Sequence, residues 1–127
     1  MTNQELFDTV VNHLVAQGRP AMDNSSGDCF YRDGLGRKCA IGCLIPDDKY
    51  HTGMEGRAVI SCPDVAGAAG LALDQLDLAR ALQTVHDVWD PGEDGASDAN
   101  DRLSLCATMY GLNRGTQQLP IWEECNA

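Results

Sequence analysis

Six cysteines and three histidines give this 127-residue chain its main supply of reactive side chains. Cys39 and Cys43 form one knuckle, and Cys29, Cys62 or His51 could complete a tetrahedral zinc site of thiolate and imidazole donors. Structural zinc sites usually draw on two such knuckles, and no second one is present. On a strand, positions 39 and 43 would stand about 13 Å apart, too far to share one ion. Buried thiols acting as small apolar side chains are the expectation, with no metal and no cofactor.

A thiol nucleophile needs a nearby base. Cys39, Cys43, Cys62 and Cys106 are the candidate nucleophiles, with His51 or His86 as the base, and nothing local marks any of them. His86-Asp87 has the pairing of a metal phosphohydrolase, but the further histidines of such a site are missing. Near a helix C-terminus, the dipole would favour a charged His86, and that structural role suffices. His13, beside an apolar helical stripe, reads as a surface or satisfied core residue.

Oxygen ligands offer another arrangement. From Asp90 to Asp101, Asp90, Asp94, Asp98 and Asp101 fall at positions 1, 5, 9 and 12 of an EF-hand loop, with Gly95 at position 6. Gly92 at position 3, Ser97 where an apolar residue is usual, and the short final aspartate argue against calcium. A solvated acidic connector is expected. There is no Walker loop, no GxGxxG, no Gly-x-Ser-x-Gly and no basic patch with aromatics. Arg32, Arg37 and Lys38 make a small positive cluster that reads as a solvated turn.

These residues need a scaffold. The length fits a single domain, 1–127. Nineteen acids against nine bases give a net charge of −10, which disfavours nucleic acid and anionic membrane and favours basic protein surfaces. The N-terminus has no basic-then-apolar leader, and no stretch has the roughly 20 apolar residues of a membrane span, so a cytosolic protein with reduced thiols is expected.

Residues 2–17 read as an amphipathic helix with a Thr2/Glu5 capping box, stopped by Gly18. Residues 19–27 read as a loop. Around Asp33-Gly34-Leu35-Gly36, the arms Cys29–Tyr31 and Cys39–Ile45 suggest a β-hairpin, interrupted at Gly42. Pro46–Tyr50 reads as a helical turn and 51–56 as a loop. Residues 57–61 are a short helix or strand, and Asp64 could cap the small-residue stretch that follows. Residues 74–89 carry the best helical stripe, and 98–110 another, opened by Ser97 or Asp98. In 113–127, Leu119, Ile121 and Trp122 offer to dock a tail. The expected fold class is α+β: a mostly helical domain with one β-hairpin on three or four helices.

The run Lys38–Tyr50, with Cys39-Ala40-Ile41-Gly42-Cys43-Leu44-Ile45-Pro46-Asp47, followed by Glu55-Gly56, resembles a widespread group of small proteins encoded by tailed bacteriophages and prophages. The N-terminal helix and Leu82-Gln83-x-x-His86-Asp87 are also similar to that group, and together the likeness covers about two thirds of the chain. It carries over no activity and no catalytic residue. It implies a phage product acting in the bacterial host cytoplasm.

Leu44-Ile45-Pro46-Asp47 reads as packing chemistry, so function is expected on the acidic exterior. The expected function is a non-enzymatic binder of a host or defence protein through its own acidic surface, nucleic-acid-binding proteins being among the candidate partners, with Asp47, Asp48, Asp87, Asp90, Glu93, Asp94, Asp98 and Asp101 as contacts. The alternative is a metal- or thiol-dependent small enzyme using Cys39, Cys43, His51 and His86. A virion assembly accessory ranks last, since nothing repeats.

Overall fold

The computed structural model describes residues 1–21, 31–56 and 62–123. Helix α1 spans Asn3–Gln17, α2 Pro63–Ala68, α3 Leu76–Asp87 and α4 Gly92–Met109. Short 3-10 turns lie at Gly42–Leu44, Thr52–Met54 and Leu73–Gln75.

α1 follows its sequence closely. Thr2 caps the Glu5 N–H and Glu5 returns a bond to the Thr2 N–H, while Gly18 closes the C-terminus at φ 81°, its N–H on the Leu14 carbonyl. Leu6, Phe7, Val10, Val11 and Leu14 form its buried side. α3 contacts both α1 and α4, and Leu78, Leu82 and Val85 fill the space between. A second apolar cluster joins Cys39, Ile41, Ile45 and Met54 to Cys62 and Val65 of the α2 region and to Ala79 of α3.

The β-hairpin is overturned. Among the described residues there is no strand, only one isolated antiparallel bridge between Arg32 and Lys38, and the fold is mostly helical and not α+β. The physical reason is competition for the backbone. Asp33 takes the Leu35 and Arg37 N–H groups on its side chain and pairs with the Arg37 guanidinium, which tightens the turn. Beyond it, the Tyr31 N–H turns to the Glu55 carboxylate instead of the second arm, and side chains of α1 hold the Lys38 backbone groups that face away from the first arm. Gln17 accepts the Lys38 N–H at 2.7 Å and donates to the Lys38 carbonyl at 2.9 Å, where His13 Nε2 also bonds at 2.9 Å. The chain then coils, with Cys43 N–H on the Cys39 carbonyl at 3.1 Å. Gly42 is required here: a Cβ would sit 2.0 Å from the Tyr31 carbonyl oxygen. The first arm's Cys29 and Phe30, the loop 22–27 and the segment 57–61 lie outside the described residues.

The later helices are displaced from expectation. α2 starts at Pro63 with Cys62 as its cap residue, so Asp64 sits in the first turn. α3 begins at Leu76, after a 3-10 turn. α4 begins at Gly92, six residues earlier than Asp98, with Pro91 extended ahead of it and Glu93 and Asp94 in its first turn, where carboxylates suit the positive end of the helix. Gly95 lets the Asp90 backbone pack there, because a Cβ would meet the Asp90 carbonyl oxygen at 1.9 Å.

The C-terminal segment docks through two tryptophans. Trp122 Nε1 donates to the Trp89 carbonyl, Trp89 Nε1 donates to the Pro120 carbonyl, and the Gly92 N–H bonds the Trp122 carbonyl. Leu119 and Trp122 are buried, whereas Ile121 is exposed and does not anchor the tail. Among the described residues no helix is long and apolar enough to cross a membrane.

Candidate interaction surface

Among the described residues, Cys39, Cys43, Cys62 and Cys106 are buried or partly buried, and His13 and His86 are held by hydrogen bonds. Cys39 is buried, its sulfur accepting the Gly42 N–H at 3.2 Å, while the Cys43 thiol donates to the Ala40 carbonyl at 3.1 Å. Burial raises the Cys39 thiol and pushes Cys43 up to about 12 and Cys106 up to about 11, the reverse of an activated nucleophile. The two knuckle cysteines lie on a helical turn and not on a strand, and His51 is exposed outside the buried cluster. Among the described residues no group of three or more His, Cys, Asp or Glu side chains is placed to hold a metal ion. Cys29 lies outside them.

His86 is fully buried at the end of α3. Its Nε2 faces the Ala21 N–H at 2.9 Å and its Nδ1 faces Asp87 Oδ1 at 2.9 Å. A backbone N–H can only donate, so Nε2 is the acceptor and Nδ1–H donates to Asp87. That arrangement is the uncharged tautomer, contrary to the charged ring expected from the helix dipole. Both nitrogens are committed, and Asp87 also accepts from Gln83 at 2.9 Å.

The polar residues of the central motif converge on Arg32. Its guanidinium donates to the Ile45 carbonyl at 2.6 Å, pairs with Asp47 at 2.8 Å and lies 4.6 Å from the centre of the Tyr50 ring. Tyr50 donates to Glu55 at 2.6 Å, and the Glu55 carboxylate also accepts the Tyr31 and Arg32 N–H groups. Burial, then the bond to Glu55, pushes Tyr50 up to about 12. The Pro-Asp-x-x-Tyr and Glu-Gly elements thus brace one arginine. The motif is structural, and Arg32 is a strut rather than a free surface cation.

The acidic residues separate into two kinds. Asp47 and Asp87, though exposed, pair with Arg32 and His86 of the same chain, with Lys38 adding a longer 3.7 Å contact to Asp47. Asp48, Asp90, Glu93, Asp94, Asp98 and Asp101 are exposed. Asp90 stands just ahead of α4, and Asp94, Asp98 and Asp101 are helical, so the twelve-residue calcium loop is not formed. On α4, spacing of four and three residues places Asp94, Asp98 and Asp101 along one side, continued by Leu105 and Met109. No ion pair holds these three carboxylates among the described residues. Leu105 and Met109 are 57% and 70% exposed, and Leu105 with Val88, Asp98, Asp101 and Arg102 lines a shallow cleft where α3 ends against α4. Composition pointed to the carboxylates; sequence reasoning missed the apolar half of the stripe, although the i, i+4 spacing of Leu105 and Met109 carried it. No family model, curated protein or solved structure matches this chain.

Proposed function

We propose that this chain is a non-enzymatic accessory protein of phage origin that works in the host cytoplasm by binding a host or defence protein. The partner presents a basic surface of the kind that otherwise holds nucleic acid. The observation that carries the reading is the side of α4 bearing Asp94, Asp98 and Asp101, exposed and without cationic partners among the described residues, in a chain of net charge −10. Three carboxylates on a rigid helix speed encounter with a basic surface and make the complex salt-sensitive. The committed nitrogens of His86 and the raised thiols of Cys39 and Cys43 support binding over catalysis.

Affinity capture from phage-infected host lysate tests it, at low and high salt, with the wild type and an Asp94→Asn/Asp98→Asn/Asp101→Asn variant. A partner held at low salt, released at high salt and lost by the variant is the expected result. Capture that is indifferent to both overturns the reading.

A further inference from the structure

The acidic side of α4 ends in exposed apolar side chains, and that combination specifies a partner more narrowly than charge does. Asp94, Asp98, Asp101, Leu105 and Met109 follow one another at intervals of four, three, four and four residues, so they share one stripe along the helix. The stripe runs about 22 Å at 1.5 Å per residue, with its carboxylates toward the N-terminus and its apolar pair in the last turns. Beside it, the cleft is lined by the apolar Val88 and Leu105, the carboxylates of Asp98 and Asp101, and one cation, Arg102, which leaves the stripe net acidic. The opposite side of α4, with Ala96, Ala99, Leu103, Cys106 and Ala107, is already buried in the core. Leu105 and Met109 therefore lie outside that interior, available to an apolar contact from another molecule.

We infer that this stripe is the docking site for a basic amphipathic helix of the partner protein. The inference rests on the proposed function and names the element recognised. Charge complementarity selects the occupant: Lys or Arg side chains match the three carboxylates, while one or two large apolar side chains seat against Val88 and Leu105 and extend toward Met109. A helix suits a straight stripe that runs along another helix, the geometry by which amphipathic helices are bound in grooves. Apolar anchors supply the hold, and the flanking charges supply orientation and rate. A surface of this kind rejects an acidic helix of equal apolarity.

The test uses the full chain and a fluorescent 18-residue peptide of leucine and lysine patterned as an amphipathic helix, read by anisotropy. Control peptides have glutamate in place of lysine, or the same composition scrambled. The wild type is expected to bind the basic helix alone. Leu105→Ser/Met109→Ser should weaken it by about tenfold or more at all salt concentrations. Asp98→Asn/Asp101→Asn should weaken it chiefly at low salt, and circular dichroism should show both variants folded. Equal binding by the Leu105→Ser/Met109→Ser variant overturns the docking site, yet leaves the acidic-surface reading intact if the Asp variant still fails. No binding of the basic peptide, or equal binding of the scrambled one, also overturns it. Light scattering that shows a dimer broken by Leu105→Ser assigns the stripe to a second copy of this chain and overturns the proposal too.

Discussion

Trp122 and Trp89 hold each other's segment: the indole of Trp122 donates to the Trp89 carbonyl at 2.9 Å, while the Trp89 indole reaches the Pro120 carbonyl at 3.0 Å, next to the tail residues that carry Trp122. Both rings are buried, and the Arg19 guanidinium lies 4.6 Å from the centre of the Trp122 ring. Trp122→Ala should cost about 3–5 kcal/mol, as for other large aromatic truncations in a core. Trp122→Phe keeps most of the apolar area but leaves the Trp89 carbonyl without its indole donor, so about 1–2 kcal/mol is expected. Urea denaturation followed by tryptophan fluorescence measures both, and a Trp122→Ala loss under about 1 kcal/mol would show that the tail is not docked.

Glycine substitutions should separate by what surrounds them. Gly42→Ala and Gly95→Ala drive a methyl into the Tyr31 and Asp90 carbonyls, respectively. Each should lose at least about 1–3 kcal/mol, even though alanine at 95 would gain about 1 kcal/mol of helix propensity. Gly67→Ala, within α2 and with no atom in its way, should gain about 0.5–1 kcal/mol. Thermal melts of the three variants decide it; a stabilised Gly95→Ala would refute the close approach of Asp90.

Stability should depend on pH through His13. Burial is the main cause holding its imidazole below the usual histidine range, and it outweighs the Lys38 carbonyl bond, which favours the charged ring. The unfolded chain then binds a proton more readily than the folded one at pH values below about 6.5. Stability from this group is present above that value and is lost as the pH falls through it. Denaturant midpoints measured between mildly acidic and neutral pH should fall with acid in the wild type, and less so in His13→Gln. Parallel pH profiles for the two proteins would remove His13 as the cause.

Thiol chemistry should report folding rather than activity. With Cys39 raised by burial, Cys43 near 12 and Cys106 near 11, thiolate is scarce at neutral pH. Iodoacetamide followed by peptide mass spectrometry should label these three slowly in the native protein and rapidly in denaturant. Fast native labelling of Cys39 would reopen a nucleophilic role.

Arg32→Lys should cost about 1–3 kcal/mol, since lysine keeps the charge but loses the fork shared by Ile45 and Asp47 and the plane over Tyr50. Chemical denaturation of Arg32→Lys checks this, and an unchanged midpoint would dismiss the strut.

Local chemistry was readable where a residue's neighbours in the chain are also its neighbours in space. The Thr2/Glu5 box, the Gly18 stop and the stripe of Leu78, Leu82 and Val85 are of that kind: helical periodicity and caps act over a few residues. The hairpin reading failed because the groups that would extend the ladder past the Arg32–Lys38 bridge are taken elsewhere: the Tyr31 N–H goes to Glu55, distant in sequence, and the Cys39 carbonyl accepts the Cys43 N–H. The reading of 90–101 as a connector between helices failed because most of it is helix: Gly95, which looks like a loop glycine, is a helical residue cleared for the backbone of Asp90.

The sequence by itself determined the acidic balance, the helical stripes and their caps, since each is a property of composition or of a few adjacent residues. Tertiary structure alone decided that His86 spends both nitrogens on Ala21 and Asp87, that the motif closes around Arg32, and that Leu105 and Met109 are left outside the core. Those outcomes depend on which distant groups compete for each donor and acceptor, and that competition is settled only when the chain is packed.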